Sequence, residues 1–151
     1  MKIKSQTFKY SEAIPERYTC DGENVNPEIE IISVPENTKS LVLIFDDPDA
    51  PGGVFTHWLV WNINPNTEIV KKDSVPDGAV VGKNSAGENA YMGPCPPTGT
   101  HAYLFKLYAV DVLLPHDQNL TKKEVRKMIE GHIIEKTLLR GFYERNHSEN
   151  F

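Results

Sequence analysis

The sequence predicts a single, mainly β domain. Residues 40–45 and 54–63 are rich in β-branched and aromatic side chains, which is typical of buried strands. The chain has 11 prolines and 10 glycines among 151 residues, and they recur between the apolar runs, which indicates many tight connections. A chain of this length matches one domain of ordinary size, so we expect residues 1–151 to fold as one unit.

The first part of the chain predicts four strands joined by ordered loops. Apolar and polar residues alternate over residues 2–10 and 28–34, which indicates a short first strand and a half-buried second one. Residues 40–45 form a continuous apolar run, which predicts a central strand buried on both faces. Residues 46–53 are rich in Asp, Pro and Gly and should end that strand, after which residues 54–63 form another buried strand.

The remaining part of the chain predicts two strands and a helix. Residues 71–97 are rich in Gly, Pro and Asn, and we expect irregular backbone there, packed against the sheet. Residues 103–110 form the clearest remaining strand. A helix is predicted over residues 121–130, because a threonine and a glutamate have capping-box spacing ahead of an apolar stripe. Residues 133–143 have mixed periodicity, and we favour a closing strand over a helix.

Charge and hydropathy exclude several classes of function. The net charge of −5 argues against nucleic-acid binding, which needs a basic surface to replace the counterions of the phosphate backbone. The longest uncharged apolar stretch, residues 41–45, is far shorter than the ~20 residues that span a bilayer, and the N-terminal residues lack a signal-peptide pattern. We therefore expect no nucleic-acid partner, no integral membrane segment and a cytoplasmic location.

The chain has two cysteines, Cys20 and Cys95. Their separation fits neither a CxxC redox pair nor a four-ligand zinc site. We expect two reduced thiols, because a disulfide is unusual in a reducing cytosol. A single disulfide bridge is the alternative.

Two loops concentrate the reactive side chains. One carries Asp47 and Asp49 ahead of His57, and the other runs from Gly93 to His101. If both loops meet at one edge of a sheet, two imidazoles and two carboxylates lie together beside backbone amides around Gly93. A carboxylate on the far ring nitrogen would orient each histidine and favour its charged form. The sequence therefore predicts a pocket for a small anion such as phosphate.

Other interpretations of the same residues remain open. His57 beside Trp58 could be an ordinary core residue, and the Asp-Pro-Asp stretch could be only a turn. Two histidines with a carboxylate could hold Fe(II) or Zn(II), although the spacing identifies no metal. We expect neither a metal nor a cofactor. Cys95 near His101 could form a thiolate–imidazolium pair, but flanking prolines leave no helix N-terminus to lower its pKa. We therefore expect no catalytic residue.

Several segments resemble the phosphatidylethanolamine-binding protein family, in its prokaryotic Raf-kinase-inhibitor-like branch. The segments that carry the resemblance are Asp47-Pro48-Asp49-Ala50-Pro51, His57-Trp58-Leu59-Val60, Gly93-Pro94-Cys95-Pro96-Pro97 with Gly99, His101 and Tyr103, and residues 18–24 and 130–132. The resemblance implies a large antiparallel sheet packed against a smaller sheet, with a few peripheral helices, one of them near the C-terminus. It also implies a ligand-binding pocket formed by Asp47, Asp49, His57, Gly93, Pro94, His101 and Tyr103.

The resemblance further implies binding without catalysis. Proteins of this family accept phosphate or phosphorylated headgroups, and some inhibit kinases or serine proteases. We therefore expect a non-enzymatic protein that binds a small anionic ligand. A protein inhibitor of a serine protease or kinase, acting through the pocket or through residues 84–91, is the alternative, and a homodimer remains open.

The sequence departs from the family pattern in two places. Ala102 stands where family members commonly carry an arginine, which puts a positive charge at the rim of the pocket in doubt. The long insert that eukaryotic members carry after the Asp-Pro-Asp motif is missing, since only residues 52–56 precede His57. Kinase regulation of the eukaryotic kind therefore does not carry over.

Overall fold

Nine β-strands and one α-helix form the structure over residues 1–145, the part of the chain described in this computed structural model. The strands are β1 (Lys2–Lys4), β2 (Glu12–Ala13), β3 (Ile29–Ile32), β4 (Ser40–Asp47), β5 (Phe55–Ile63), β6 (Ile69–Val70), β7 (Val80–Val81), β8 (His101–Val110) and β9 (Ile133–Tyr143). A short 3₁₀ helix spans Glu16–Tyr18, and helix α1 spans Lys122–Ile129. The predicted single domain also includes residues 146–151, which lie outside the described residues.

The strands form one large and one small sheet. The larger sheet has the order β2-β9-β8-β4-β5-β7, and the smaller sheet has the order β1-β3-β6. Neighbouring strands are antiparallel, except that β2 runs parallel to β9. The mainly β fold with a large and a small sheet is therefore confirmed, and the larger sheet is mixed.

Strand β4 is the centre of the fold because both of its faces are covered. Leu41, Leu43 and Phe45 belong to the core that includes the smaller sheet, whereas Val42 and Ile44 belong to the core beneath helix α1. Successive side chains of a strand point to opposite faces, so one continuous apolar run supplies both cores. All eight residues of β4 are buried, and for residues 40–45 the sequence predicted this burial.

The C-terminal elements also agree with the sequence. Helix α1 begins with a complete capping box, in which Thr121 accepts from the Glu124 amide and the Glu124 side chain accepts from the Thr121 amide. Strand β9 pairs with β8 from His101↔Tyr143 to Val110↔Ile133, so residues 133–143 form the predicted closing strand.

Two predicted strand boundaries are wrong. Strand β1 ends at Lys4, not near Tyr10, because Ser5 turns its hydroxyl onto the Glu28 carbonyl and the chain leaves the sheet. Strand β4 does not end before the acidic segment and continues through Asp46 and Asp47. These two buried carboxylates are tolerated there because each has hydrogen-bond partners, which are described below.

The expectation of two reduced thiols is also wrong. Cys20 and Cys95 form a disulfide across a sequence separation of 75 residues. Disulfides are unusual in a reducing cytosol, so this bridge does not support the cytoplasmic location, which stays a prediction. Within residues 1–145, no helix is both long enough and apolar enough to cross a membrane.

Candidate ligand-binding site

A cavity of about 250 Å³ lies at one end of the larger sheet, where β4, β5 and β8 meet the loop after Tyr91. Its polar wall consists of Asp47, His57, His101 and Tyr103. Its apolar wall includes Phe55, Met92, Pro96 and Pro97. The two loops that the sequence singled out therefore do converge, and both histidines line one cavity.

Asp47 and His101 form a buried pair on one side of the cavity. The end of β4 pairs with the beginning of β8, and the alternation of side chains places both residues on the same face of the sheet. Nδ1 of His101 donates to Oδ2 of Asp47 at 2.7 Å, and the two side chains are 10% and 5% exposed. The carboxylate fixes the proton on Nδ1, so Nε2 is the ring nitrogen left for a ligand.

A β-bulge turns His57 toward the cavity. Phe45 on β4 pairs with Trp58, but the next residue, Asp46, pairs with Thr56, so His57 is an extra residue in β5. Strict alternation from Trp58, which lies in the core on the cavity side of the sheet, would place His57 on the opposite face. Because of the bulge, His57 points to the same face as Trp58. Bulges commonly redirect a side chain in this way beside a functional site.

His57 has a backbone carbonyl as its partner, not a carboxylate. Its Nδ1 donates to the carbonyl oxygen of Met92 at 2.7 Å. Burial lowers the pKa of His57 below the ordinary histidine value, although the Met92 carbonyl and the carboxylates of Asp47 and Asp46 act in the other direction. The lowered pKa favours the neutral ring in the free site, contrary to the expected charged form, and Nε2 of a neutral ring with its proton on Nδ1 carries a lone pair.

Tyr103 places an unsatisfied hydroxyl in the same wall. Its side chain is fully buried, and although the Asp47 carboxylate interacts with its hydroxyl, no described group meets the full geometry of a hydrogen bond to it. The ring lies 5.4 Å from that of His57 and 6.3 Å from that of His101, measured between centroids. Burial, with the Asp47 carboxylate nearby, raises the pKa of Tyr103, so the hydroxyl stays protonated and can donate. Buried hydroxyls in folded proteins usually have a hydrogen-bond partner, so this hydroxyl is available to a ligand.

Gly93 lies in the cavity wall, but its amide is already engaged. Its N–H donates to Oδ1 of Asn24 at 2.8 Å, so the exposed amide that we expected at this position is wrong. A Cβ at Gly93 would overlap the Tyr18 carbonyl and Asn24, which explains why glycine is required there.

Pro94 and Asp49, the other two predicted site residues, lie outside the cavity lining. The carbonyl of Pro94 accepts from the Cys20 amide at 3.1 Å, beside the disulfide. Asp49 is exposed, and its Oδ2 accepts from the Ala102 amide at 2.9 Å. Both residues hold loops in place, so their expected direct contact with a ligand is not supported by the geometry.

Sequence reasoning left the apolar wall largely unassigned. Met92 lines the cavity, whereas Tyr91 stacks on Phe45 at 5.8 Å, donates its hydroxyl to the Tyr18 carbonyl and packs against the core. Cys95 contributes to the wall as part of the disulfide. Its thiol is therefore not available for the thiolate–imidazolium pair that the sequence left open.

The metal alternative finds no matching geometry in the described part of the chain. Over residues 1–145, no group of three or more His, Cys, Asp or Glu side chains is arranged to hold a metal ion.

Comparison with known proteins identifies the family to which this fold and site belong. Residues 4–144 match the family model of the phosphatidylethanolamine-binding protein. The chain therefore belongs to the phosphatidylethanolamine-binding protein family, and the resemblance seen in its motifs is confirmed.

Relatives from archaea and bacteria cover nearly the whole chain. A UPF0098 protein of Methanothermobacter thermautotrophicus is 43% identical and covers 96% of this chain and 99% of its own length. A UPF0098 protein of Chlamydia trachomatis is 39% identical, with 97% of this chain and all of its own length covered. These relatives place the chain among prokaryotic members of the family.

Two solved structures share the fold. A phosphatidylethanolamine-binding protein homologue from Chlamydia trachomatis superposes with a TM-score of 0.92 at 39% identity and covers 96% of this chain and 97% of its own. Escherichia coli YbcL, described as a member of the mammalian family, superposes with a TM-score of 0.89 at 31% identity, covering 96% and 98%.

Proposed function

We propose that the protein binds a small ligand with a phosphate-like group in the cavity and does not act on it chemically. The observation that carries this proposal is the Tyr103 hydroxyl, a buried donor without a described partner. It lies beside the rings of His57 and His101, whose Nδ1 atoms are held by Met92 and Asp47. A ligand oxygen in this position could contact all three side chains, and the hydroxyl would then be satisfied.

The size of the cavity favours a headgroup over a whole lipid. Its volume of about 250 Å³ is slightly smaller than the usual range for drug-sized ligands, about 300–1,000 Å³. A phosphate with a short substituent fits such a volume, and the apolar wall can pack against the substituent. The name of the family refers to phosphatidylethanolamine, whose headgroup, once released from the glycerol, is a phosphate monoester.

Binding without catalysis is part of the same proposal. The disulfide removes the Cys95 thiol as a nucleophile. Covalent catalysis needs an activated nucleophile, and the described cavity lining contains no serine, threonine or lysine. The polar wall is therefore better suited to holding an anion than to attacking it.

Histidine NMR during a titration with inorganic phosphate tests this proposal. We expect the ring resonances of His57 and His101 to shift together along one binding curve. His132, an exposed histidine whose Nδ1 is bonded to Asp111, is the internal control and should not follow that curve. If the rings of His57 and His101 stay unchanged at millimolar phosphate, the proposed function is wrong.

A further inference from the structure

The hydrogen-bonding groups of the cavity determine which protonation state of a ligand fits. We propose that the cavity recognises tetrahedral oxyanions that carry a proton, the class of hydrogen phosphate and phosphate monoesters, and that binding them at neutral pH takes up about one proton from solvent. This inference rests on the proposed function and specifies its ligand class.

Acceptors outnumber donors in the polar wall. His57 uses its Nδ1 proton on the Met92 carbonyl, so Nε2 of the neutral ring is an acceptor. The Asp47 carboxylate lines the cavity and can only accept. The Tyr103 hydroxyl is a donor that makes no hydrogen bond of full geometry to a described group, and the Asp47 carboxylate interacts with it. A fully deprotonated oxyanion would face these lone pairs, whereas an oxyanion with one O–H can donate to them.

The cavity has no permanent positive charge in its wall. Its described lining contains no lysine and no arginine, and Ala102 stands where the sequence resemblance led us to expect an arginine. The carboxylate of Asp47 offsets any charge on the His101 ring. The charge of an incoming dianion can therefore be reduced by a proton, which is carried either by the ligand or by His57.

The groups around His57 come from four parts of the fold. Strand β4 contributes the carboxylates of Asp46 and Asp47, and the charge of Asp46 is offset by ion pairs with Lys106 and Lys122. Strand β8 contributes Tyr103 and His101, the loop contributes the Met92 carbonyl and Gly93, and Phe55 packs against the ring from β5 itself. The carboxylate that faces His57 without a lysine or arginine partner is that of Asp47, which pairs with His101, and its negative charge favours a proton in the complex.

The apolar wall acts in the same direction. Phe55, Met92 and the prolines of the loop exclude water from part of the cavity surface. Removing a charged group from water costs more free energy as its charge increases, so a monoanion is accommodated more readily than a dianion. The added proton lies between a ligand oxygen and Nε2 of His57. The proton can be bound to the ligand oxygen or to Nε2, because the two forms of the complex contain the same atoms and the same total charge.

Calorimetry with methyl phosphate and methyl sulfate tests the inference. The second pKa of a phosphate monoester is about 6, so methyl phosphate is mainly a dianion at about pH 7.5 but can regain a proton. Methyl sulfate has the same shape and no proton to regain. In buffers of different ionisation enthalpy, methyl phosphate binding should take up about one proton. Methyl sulfate should bind at least about tenfold more weakly at this pH, and the gap should narrow at lower pH as His57 becomes protonated.

Asp47→Asn is the informative variant. The asparagine oxygen can keep the 2.8 Å bond to the Asp49 amide, while its NH₂ group can donate to Nδ1 of His101. The His101 proton then moves to Nε2, which becomes a donor into the cavity. We expect methyl sulfate to bind at least about fivefold more tightly than in the wild type and proton uptake with methyl phosphate to fall. Asp111→Asn, which changes the exposed Asp111–His132 pair, is the matched control and should leave both values unchanged.

The outcomes separate this inference from the proposed function. If methyl phosphate binds in the cavity without proton uptake, or if methyl sulfate binds equally well at about pH 7.5, the inference is wrong and the proposed function stands. If neither compound binds at any pH, both are wrong. Should Asp47→Asn fail to fold, His57→Gln gives the second test. A glutamine amide can donate without first being protonated, so proton uptake should decrease, and unchanged uptake would overturn the assignment to His57.

Discussion

The carboxylate of Asp47 and the imidazole of His101 are joined by a hydrogen bond of 2.7 Å across 54 residues of sequence. The bond ties the last residue of β4 to the first residue of β8, and both side chains line the cavity. A second pair of the same chemistry, Asp111 and His132, is exposed, with a bond of 2.8 Å. The chain therefore contains a buried pair at the proposed site and an exposed pair that serves as its control.

Replacing His101 should weaken phosphate binding. His101→Ala removes a hydrogen bond to a charged group, which contributes about 1.5–3 kcal/mol, or roughly 10- to 150-fold in affinity. Isothermal titration calorimetry with inorganic phosphate measures this change. His132→Ala changes a histidine with the same type of partner outside the cavity and should leave the affinity unchanged. Equal affinities of the two variants would remove His101 from the site.

Tyr103→Phe should change stability and binding in opposite directions. The free protein buries a hydroxyl without a described partner, and such a group costs about 1–3 kcal/mol. Phenylalanine keeps the ring packing against Phe45 and the two histidines, so the free variant should be at least as stable as the wild type. Phosphate affinity should decrease. Thermal unfolding with and without phosphate measures both effects, and a variant that is less stable without ligand would show that the hydroxyl already has a partner.

Six of the nine described strands and most members of the polar wall could be predicted because they depend on local patterns, whereas the two-residue strands β2, β6 and β7 are too short to carry one. The continuous apolar run of residues 40–45 is sufficient to place β4 in the centre of the sheet. His57 and His101 follow loops that the acids, glycines and prolines mark clearly. If the two strands belong to one sheet, the loops before them meet at one edge, and a pocket is expected there.

The finer features of the site depend on contacts that no local pattern records. The bulge at His57 becomes visible only when β5 is paired with β4, because Phe45 pairs with Trp58 and Asp46 pairs with Thr56. The engagement of the Gly93 amide depends on Asn24, 69 residues away in the sequence. The disulfide likewise joins two loops that only the fold brings together. Local reasoning therefore identifies which residues meet, but not which of their atoms remain free.

Removing the disulfide should destabilise the fold substantially. Its sequence separation of 75 residues corresponds to about 4.5 kcal/mol in the chain-entropy description, and measured effects are commonly smaller, so we expect a loss of about 2–4 kcal/mol in Cys20→Ala/Cys95→Ala. Urea unfolding of the oxidised wild type and the variant measures the difference. A reducing agent should lower the stability of the wild type and leave the variant unchanged. Equal stability of the oxidised wild type and the variant would show that the disulfide does not stabilise the fold.

Lys122→Met should weaken the attachment of helix α1 to the sheet. Nζ of Lys122 donates to Oδ2 of the fully buried Asp46 at 2.7 Å, and Lys106 reaches the same oxygen at 3.3 Å. Removing one partner leaves the buried charge of Asp46 less compensated, which destabilises the fold. We expect the free energy of unfolding to fall by about 1–3 kcal/mol and no further, because Lys106 and Thr56 still contact Asp46. Lys123→Met, at the next and exposed position, should change the free energy of unfolding by less than about 0.5 kcal/mol. Equal effects of the two substitutions would show that the buried ion pair contributes nothing.

The lowered pKa of His57 should appear as an acid sensitivity of the free protein. Burial lowers this pKa in the folded chain, so between the folded and unfolded values the unfolded chain binds more protons. The stability that depends on neutral His57 is therefore complete above about pH 6.5 and decreases as the pH falls toward the folded pKa. His57→Gln removes this titration, and its free energy of unfolding should decline less between about pH 7 and pH 5 than that of the wild type. Urea unfolding at several pH values measures both slopes. His132→Gln should keep the wild-type slope, and a His57→Gln slope that also matches the wild type would show that burial does not disfavour the charged ring.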